Sequence, residues 1–534
     1  MDSSQRPAEI PARTVRTMRV SFCVLVVLLA VFQFSENTVD PDLWGHVVFG
    51  QEMIRDGTIP KAEIYSWTAH GQPWINHEVL AEICLGAAHS WLGGSGILLL
   101  KLVVGLLTFA VGLRLGLAGL SWPARYFAWA LGALAVVEVS YGFAARPQIF
   151  TALFLVIELW LLRRIHQGGL RWAFCLPLLF VVWINTHGGA LAGIGLLGLA
   201  TSVSTFQWMF RKQSSEPKRI LVLWLSFIGS VVALFCNPWK AELVRWLVDS
   251  VLWLRPQIQE WNPTPFGWNH AAFFILLVLT ILAWLFTRRQ RQWWEAVACA
   301  VFALLALRST RNSPLFCLVA LALVPTHLGN ALERFKYLFE RLITVGRQPG
   351  AQKLAAVLFV TGATGIAVAT LTLHKEHPLT MEVPRSQYPV QAIEFIREQG
   401  LSGKTITFFD WGEMVIFHLP ECSPSIDGRL DTCYPRELIA AHWKFYNNEP
   451  FDRSVLNPDE ADFALLPSNL AGALSLREQP GWKAVYFDDV AVVLVRRPER
   501  FPRLKELSLP VQGEKSLTTG RAAFANASPR WQVE

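Results

Sequence analysis

The sequence predicts an all-α polytopic membrane bundle of about eleven transmembrane helices, followed by an extracytoplasmic α/β domain. Three observations carry that expectation. Of 534 residues, 52% are apolar and 17% charged, whereas a soluble domain carries about 25% charge. Apolar runs long enough for a bilayer recur as far as residue 373. Beyond it the pattern changes to short strand-like runs and one stretch of helical spacing. With 23 Trp and 34 Phe as well, this composition excludes a soluble enzyme, a disordered chain and a disulfide scaffold. The net charge of +7 is read through the placement of basic residues about a membrane. It is not read as a nucleic-acid footprint, and no nucleic-acid partner is expected.

The first apolar run, residues 20–35, follows a tail carrying Arg6, Arg13, Arg16 and Arg19. The tail is long and no A-x-A site follows the run, so a retained helix with a cytoplasmic N-terminus is expected rather than a signal peptide. Residues 36–96 then form a long first outer loop. It holds eight acids (Glu36, Asp40, Asp42, Glu52, Asp56, Glu63, Glu78 and Glu82) against Arg55 and Lys61. Within it, 79–95 is apolar but short and carries Glu82 and His89. It reads as an interfacial helix on the outer face, because counting it as a span inverts every later basic cluster.

Further spans are expected at 97–118, 123–143, 147–164, 172–184, 188–208, 220–236, 268–287, 294–307, 313–330 and 353–373. Residues 172–210 hold no charged side chain and suit two helices broken near Asn185–Gly189. Basic clusters lie at Arg163/Arg164/Arg171, at Arg211/Lys212/Lys218/Arg219, at Arg288/Arg289/Arg291, and from Arg334 to Lys353. Under this count all of them fall inside. The expected location is a bacterial inner membrane, with residues 374–510 as a periplasmic α/β domain and 511–534 as a loose tail. In that domain, Pro389–Gln399 has helical spacing, and Thr405–Phe409, Ala461–Leu466, Lys483–Phe487 and Val490–Val495 read as strands. Asp488–Asp489 is the turn between the last two.

Of eight cysteines, six lie in apolar stretches and read as inert thiols. Cys422 and Cys433 are available to pair if their region is extracytoplasmic. No CxxC and no His/Cys cluster of zinc spacing occurs.

The unusual polar residues fall on the outer side of this topology, as an active site at the membrane–water boundary requires. Asp40-Pro-Asp42-Leu-Trp-Gly-His46 follows the first span and Asn76-His77-Glu78 closes the same loop. Asp40 and Asp42 suit a general base or, with His46, His77 and Glu78, a divalent cation such as Mg²⁺ or Mn²⁺. Asp42 equally suits the N-cap of a helix from Leu43. Arg146, Arg308 and Arg311 suit a phosphate, or charge pairing with the acidic loop. His187, at the break between two spans, suits a proton carrier or a hydrogen-bonded structural histidine. Glu260 sits among Trp246, Trp253, Trp261 and Trp268, an interfacial belt. Asn237-Pro238 is a helix stop. In the C-terminal region, Asp410 and Trp411 lie in Phe408-Phe409-Asp410-Trp411-Gly412, where aromatics about an acid suit a recognition pocket. Asp427-Gly428 is a turn signal.

The arrangement resembles the GT-C superfamily of integral-membrane glycosyltransferases, which use polyprenyl-phosphate-linked sugars and keep an acidic motif in a long first outer loop. Asp40-Pro-Asp42 sits where that motif belongs. Phe408-Phe409-Asp410-Trp411-Gly412 resembles the Trp-Trp-Asp-Tyr-Gly acceptor motif of the oligosaccharyltransferase catalytic subunit, with Asp and Gly kept and the aromatics changed. The changed aromatics argue against protein N-glycosylation. The Asp-Pro-Asp-Leu-Trp-x-His opening, Asn-x-His-Gly-Gly and Asp-Gly-Arg also resemble a set of bacterial GT-C-like polytopic proteins over most of the chain. The resemblance implies inverting transfer of a sugar from a polyprenyl-phosphate donor to a hydroxyl on a lipid, glycan or protein. Asp42 or Asp40 is then the base, and Arg311, Arg308 or Arg146 compensates the leaving phosphate. Asp410, Trp411, His187 and Glu260 contact the acceptor. The rival readings are a lipid-linked-glycan ligase or polymerase, a transporter and a non-catalytic scaffold.

Overall fold

The computed structural model describes residues 12–122, 124–211, 217–253, 255, 257–288, 292–333, 357–366, 368–369, 376–506, 508, 510–518 and 520–528. Arg6, Lys212, Arg289, Arg291, the cluster from Arg334 to Lys353 and the ends of the expected span 353–373 lie outside the described residues.

The membrane part is helical throughout. Its helices are α1 (Ala12–Phe34), α2 (Leu43–Asp56), α3 (Val79–Leu117), α4 (Ala124–Tyr141), α5 (Gln148–His166), α6 (Cys175–Ile184), α7 (Ala190–Arg211), α8 (Pro217–Ala233), α9 (Ala241–Leu252), α10 (Ala271–Phe286), α11 (Trp293–Arg308) and α12 (Ser313–Glu333). Every expected span down to 313–330 overlaps one of them. Among the described residues, five stretches are long and apolar enough to cross a bilayer: Val15–Phe34, Val79–Leu117, Ala190–Phe210, Trp268–Phe286 and Thr310–Leu332. The chain is thus a membrane protein, and the other expected spans among the described residues fall on helices that are shorter or less apolar. α6 has only 10 residues, about 15 Å of rise against a hydrocarbon core of about 30 Å. It continues a 3₁₀ turn at Leu170–Phe174 instead of crossing alone.

α3 breaks at Leu92–Gly93, a few residues before the expected boundary at 95–97 between an interfacial helix and a span. Leu92 leaves helical geometry at φ −136° and Gly93 takes φ +58°, ψ −144°, a conformation that glycine adopts without steric cost. The first leg of α3 packs on α2 backbone to backbone. A Cβ on Gly50 would lie 1.9 Å from the Glu82 carbonyl oxygen, and one on Gly86 would lie 2.7 Å from the Gly50 carbonyl carbon. The two glycines therefore permit the approach that brings Glu82 beside His46.

In the C-terminal part a six-stranded sheet runs β3-β2-β4-β6-β5-β7. Its strands are β2 (Gly403–Thr407), β3 (Cys422–Pro424), β4 (Phe463–Pro467), β5 (Lys483–Phe487), β6 (Ala491–Val495) and β7 (Val511–Gln512). β2 is parallel to β3 and β4, β6 is antiparallel to β4 and β5, and β7 is parallel to β5. Helices Val390–Gln399, Gly412–His418, Arg436–Tyr446 and Ala471–Glu478 accompany it. The four expected strands and the first helix are present. Asp488 closes the β5–β6 turn by accepting the Val490 and Ala491 N–H groups at 2.7 and 2.6 Å.

Residues 511–528 are not a loose tail. Besides β7, strand β8 (Arg521–Ala523) pairs antiparallel with β1 (Glu382–Pro384). Phe524 is buried against Trp44, His89 and Phe417, and the Ala525 carbonyl lies 2.7 Å from His89 Nε2. Cys422 and Cys433 are buried free thiols, not a disulfide.

The acidic loop is clamped to this domain. Val39 N–H donates to the Glu382 carbonyl and Glu382 N–H to the Asn37 carbonyl, both at 2.8 Å. Asp427-Gly-Arg429, read as a turn, is a buried tie. The Arg429 guanidinium binds Asp427 and Glu63 and lies 4.7–5.1 Å from the ring centres of Trp74, Phe49 and Tyr65.

Candidate active site

The loops at one end of the bundle converge beneath the C-terminal domain. Asp42 stands at the start of α2 but its side chain caps nothing. Instead Arg146, in the turn before α5, bonds Asp40 through Nε and Asp42 Oδ2 through Nη2 at 2.5 Å. Its Nη1 lies 3.9 Å from Glu260 Oε2. Glu260 Oε1 accepts from Arg311 Nη1 at 3.1 Å, and Arg311 Nη2 lies 3.5 Å from His187 Nε2. Five loops thus meet through one chain of charges. Burial pushes the Asp42 carboxyl up to about 7, with Asp40 adding to the rise and Arg146 opposing it.

The second cluster lies alongside. His46 Nδ1 is 3.3 Å from Glu82 Oε1, and Glu82 Oε2 accepts from the Asn76 amide at 2.5 Å. Glu78 Oε1 lies 3.5 Å from His77 Nε2 and 3.8 Å from His187 Nε2. Burial works to raise Glu78, but His77, His46, His187 and Arg311 outweigh it and hold the carboxyl down to about 2. His187 is held neutral, lowered to about 3 by burial, with Glu78 opposing and Arg311 adding to the fall. Its Nδ1 accepts the Gly189 N–H at 3.0 Å and contacts Thr151 Oγ1 at 2.9 Å, which fixes the ring at the helix break.

The expected cation ligands do not stay together. Among the described residues the group of metal-ligating type is His46, Glu78 and Glu82, with ligand atoms within 4.8 Å of one another. Asp40 and Asp42 are outside it because a guanidinium lies against both carboxylates, and His77 is only a neighbour of Glu78. Glu82 is bonded to Asn76 and His46, and Glu78 has His77 and His187 beside it at 3.5 and 3.8 Å, so His46, Glu78 and Glu82 remain a candidate cation group.

Arg308 does not join the site. It is exposed at the end of α11 and makes no ion pair or hydrogen bond with the cluster among the described residues. Of the tryptophan belt, Trp268 is exposed at 95%, whereas Trp246 donates to the Asp431 carbonyl at 2.9 Å and packs on His77. Trp261 takes Arg255 and Arg311 against its ring at 4.7 and 5.2 Å.

Between the first loop and the C-terminal domain lies a cavity of about 510 Å³, walled by Asp40, Tyr388, Phe408, Asp410, Trp411 and Asp489 among others. Asp410 is thus brought to the same space as Asp40. Burial raises its carboxyl, against Arg146. Trp411 is buried and donates to the Gln387 carbonyl at 3.1 Å. Glu413, which sequence reasoning passed over, lies on the far side of Asp42. Its signal was a lone acid in the apolar run Trp411-Gly-Glu413-Met-Val-Ile-Phe417.

No protein-family model and no curated protein sequence matches the chain. Solved structures do. The archaeal oligosaccharyltransferase AglB from Archaeoglobus fulgidus, in complex with an inhibitory peptide and a dolichol-phosphate, superposes with a TM-score of 0.55 at 11% identity. The match covers 93% of this chain and 77% of that one. Apo ArnT from Cupriavidus metallidurans gives 0.52 at 16% identity, covering 91% of this chain and 99% of that one. The chain shares the fold of both.

Proposed function

We propose that the chain is a GT-C-type glycosyltransferase. It moves a sugar from a polyprenyl-phosphate-linked donor to a hydroxyl of a glycolipid, glycan or protein at the outer face of a bacterial inner membrane. The N-terminus is then cytoplasmic and residues 374–510 periplasmic. The observation that carries this reading is the convergence of Asp40, Asp42, Arg146, Glu260 and Arg311 from separate loops at one end of a GT-C fold. The dolichol-phosphate of the AglB complex supports a lipid-phosphate donor.

In this mechanism Asp42 takes the acceptor hydroxyl proton. The oxygen attacks the anomeric carbon, the bond to the phosphate oxygen breaks with inversion, and the lipid phosphate leaves with the electron pair. Arg311 compensates the developing charge. It is part-exposed and has one carboxylate partner, Glu260, so it can turn to a phosphate without stranding a buried acid. Arg146 is committed to Asp40 and Asp42 and fixes their orientation. The cavity at Asp410 and Trp411 receives the acceptor next to Asp40. No step is routed through a metal ion, because Arg146 neutralises the acids that a cation would otherwise serve.

The test is a deletion strain complemented with wild type, Asp42→Asn or Asp40→Asn, with expression of each checked. Envelope glycolipids and glycoproteins are compared by mass spectrometry. A sugar-sized mass should vanish in the deletion, return with wild type and stay absent with Asp42→Asn. Restoration by both well-expressed Asn variants sinks the reading and favours transport or a scaffold.

A further inference from the structure

Glu413 opens the helix Gly412–His418 and is 2% exposed. Its Oε2 accepts the Gly45 N–H at 3.0 Å. Two glycines make room for its carboxyl. A Cβ on Gly45 would lie 2.3 Å from Glu413 Oε2. A Cβ on Gly428 would lie 2.1 Å from Asp42 Oδ1 and 3.0 Å from Glu413 Oε1. Asp42 Oδ1 and Glu413 Oε1 therefore both fall within 3.0 Å of one point, over a backbone position that carries no side chain. The other oxygen of Asp42 faces Arg146.

The charges around Glu413 give it no cation of its own. On the first-loop side stand Asp42 and, beyond it, His46, which is paired with Glu82. On the turn behind stand Asp427 and Arg429, and Arg429 is bound to Asp427 and Glu63. On its own helix His418 is five residues away. Two carboxyls that face one bare backbone position, with Glu413 buried and Asp42 part-buried, each raise the cost of ionising the other.

We propose that Asp42 and Glu413 hold one proton between them at neutral pH, carried by Glu413 and donated to Asp42 Oδ1. Glu413 is then a positioning residue. It fixes one oxygen of Asp42 while Arg146 fixes the other, and it sets the pH at which Asp42 is an available base. This role rests on Asp42 being the base; the shared proton itself does not. During transfer the pair passes from one proton to two as Asp42 takes the hydroxyl proton. Acid brings about the same change without substrate, so acidification switches the site off.

Burial and the neighbouring acids raise Glu413 well above the carboxylate range. A carboxyl raised in the folded state keeps a proton that the unfolded chain releases above about pH 4.3. Stability is therefore lost as pH rises from there toward the folded value.

The experiment is thermal unfolding of the purified full chain in detergent, followed by tryptophan fluorescence from pH 5 to pH 9. Wild type, Glu413→Gln and Asp42→Asn are compared. Glutamine keeps a donor toward Asp42 but has no proton to lose. The Tm of Glu413→Gln should gain on wild type by several degrees as pH rises, and Asp42→Asn should show a shallower slope than wild type. A pH-independent gap between Glu413→Gln and wild type overturns the proposal. If Glu413→Gln does not fold, a wild-type slope that Asp42→Asn leaves unchanged does so. In the complementation strain, Glu413→Gln should support transfer and Glu413→Ala should lose at least tenfold. Transfer that survives Asp42→Asn, alongside a gap that grows with pH, removes the base reading and leaves the shared proton standing.

Discussion

Arg146 holds Asp42 Oδ2 at 2.5 Å from the turn before α5, while its Nε binds Asp40. One guanidinium thus takes both acids of the Asp-Pro-Asp motif. The N-cap alternative for Asp42 fails for this reason, because the carboxylate turns away from the α2 amides. The same contact occupies both carboxylates and makes their orientation depend on a side chain far off in sequence.

Transfer should rise with pH through about 7. Asp42 is pushed up to about 7 by burial, and a base must be ionised to act. Below that value the rate should fall about tenfold per unit, since one proton blocks the base. Initial rates in purified membranes between pH 5 and 9 check this. A rate flat down to pH 5 rules out Asp42 as the titrating base.

The two arginines should separate. Arg146→Ala strips the partner from Asp40 and Asp42, and should abolish transfer and lower Tm. Arg311→Ala should fold and lower kcat/KM by about ten- to a hundredfold, the worth of a charged hydrogen bond of about 1.5–3 kcal/mol. Equal losses in kcat and Tm for both variants contradict the division of roles.

Chelation should leave transfer intact. The carboxylates at the motif are paired with a guanidinium, and Glu82 of the His46 group is bonded to Asn76 and His46. Activity after EDTA dialysis, with metal content measured by mass spectrometry, decides the point. Loss on dialysis and recovery with Mn²⁺ would assign the His46 group to an ion.

Arg429→Ala should cost about 3–5 kcal/mol, because it leaves Glu63 and Asp427 buried without their cation. Both acids are fully buried. The tie joins the first loop to the C-terminal domain, so Tm and protease resistance of that domain should fall together. An unchanged Tm means that the cage is not what clamps the loop.

Composition and periodicity were enough to determine a membrane bundle with a C-terminal α/β part, because apolar length and strand alternation are local properties of the chain. The Asp488 turn was legible for the same reason, as was a boundary between an interfacial helix and a span, though it was placed at 95–97 and the break falls at Leu92–Gly93. The acidic first loop and Arg146, Glu260, His187 and Arg311 were legible as polar residues placed at helix ends. Their partners were not. Which acid meets Arg146, why Arg308 stays outside and why Trp246 turns inward depend on contacts between distant segments. Glu413 was not singled out in the sequence, where it is one acid in a short apolar run, and only folding carries it across the bare Cα of Gly428 to Asp42. The docking of residues 511–528 was equally hidden, since Phe524 and Ala525 find partners in α2, α3 and the helix Gly412–His418 only once the chain has closed. Pairing of charges across a fold is fixed by packing, and packing has no local signature.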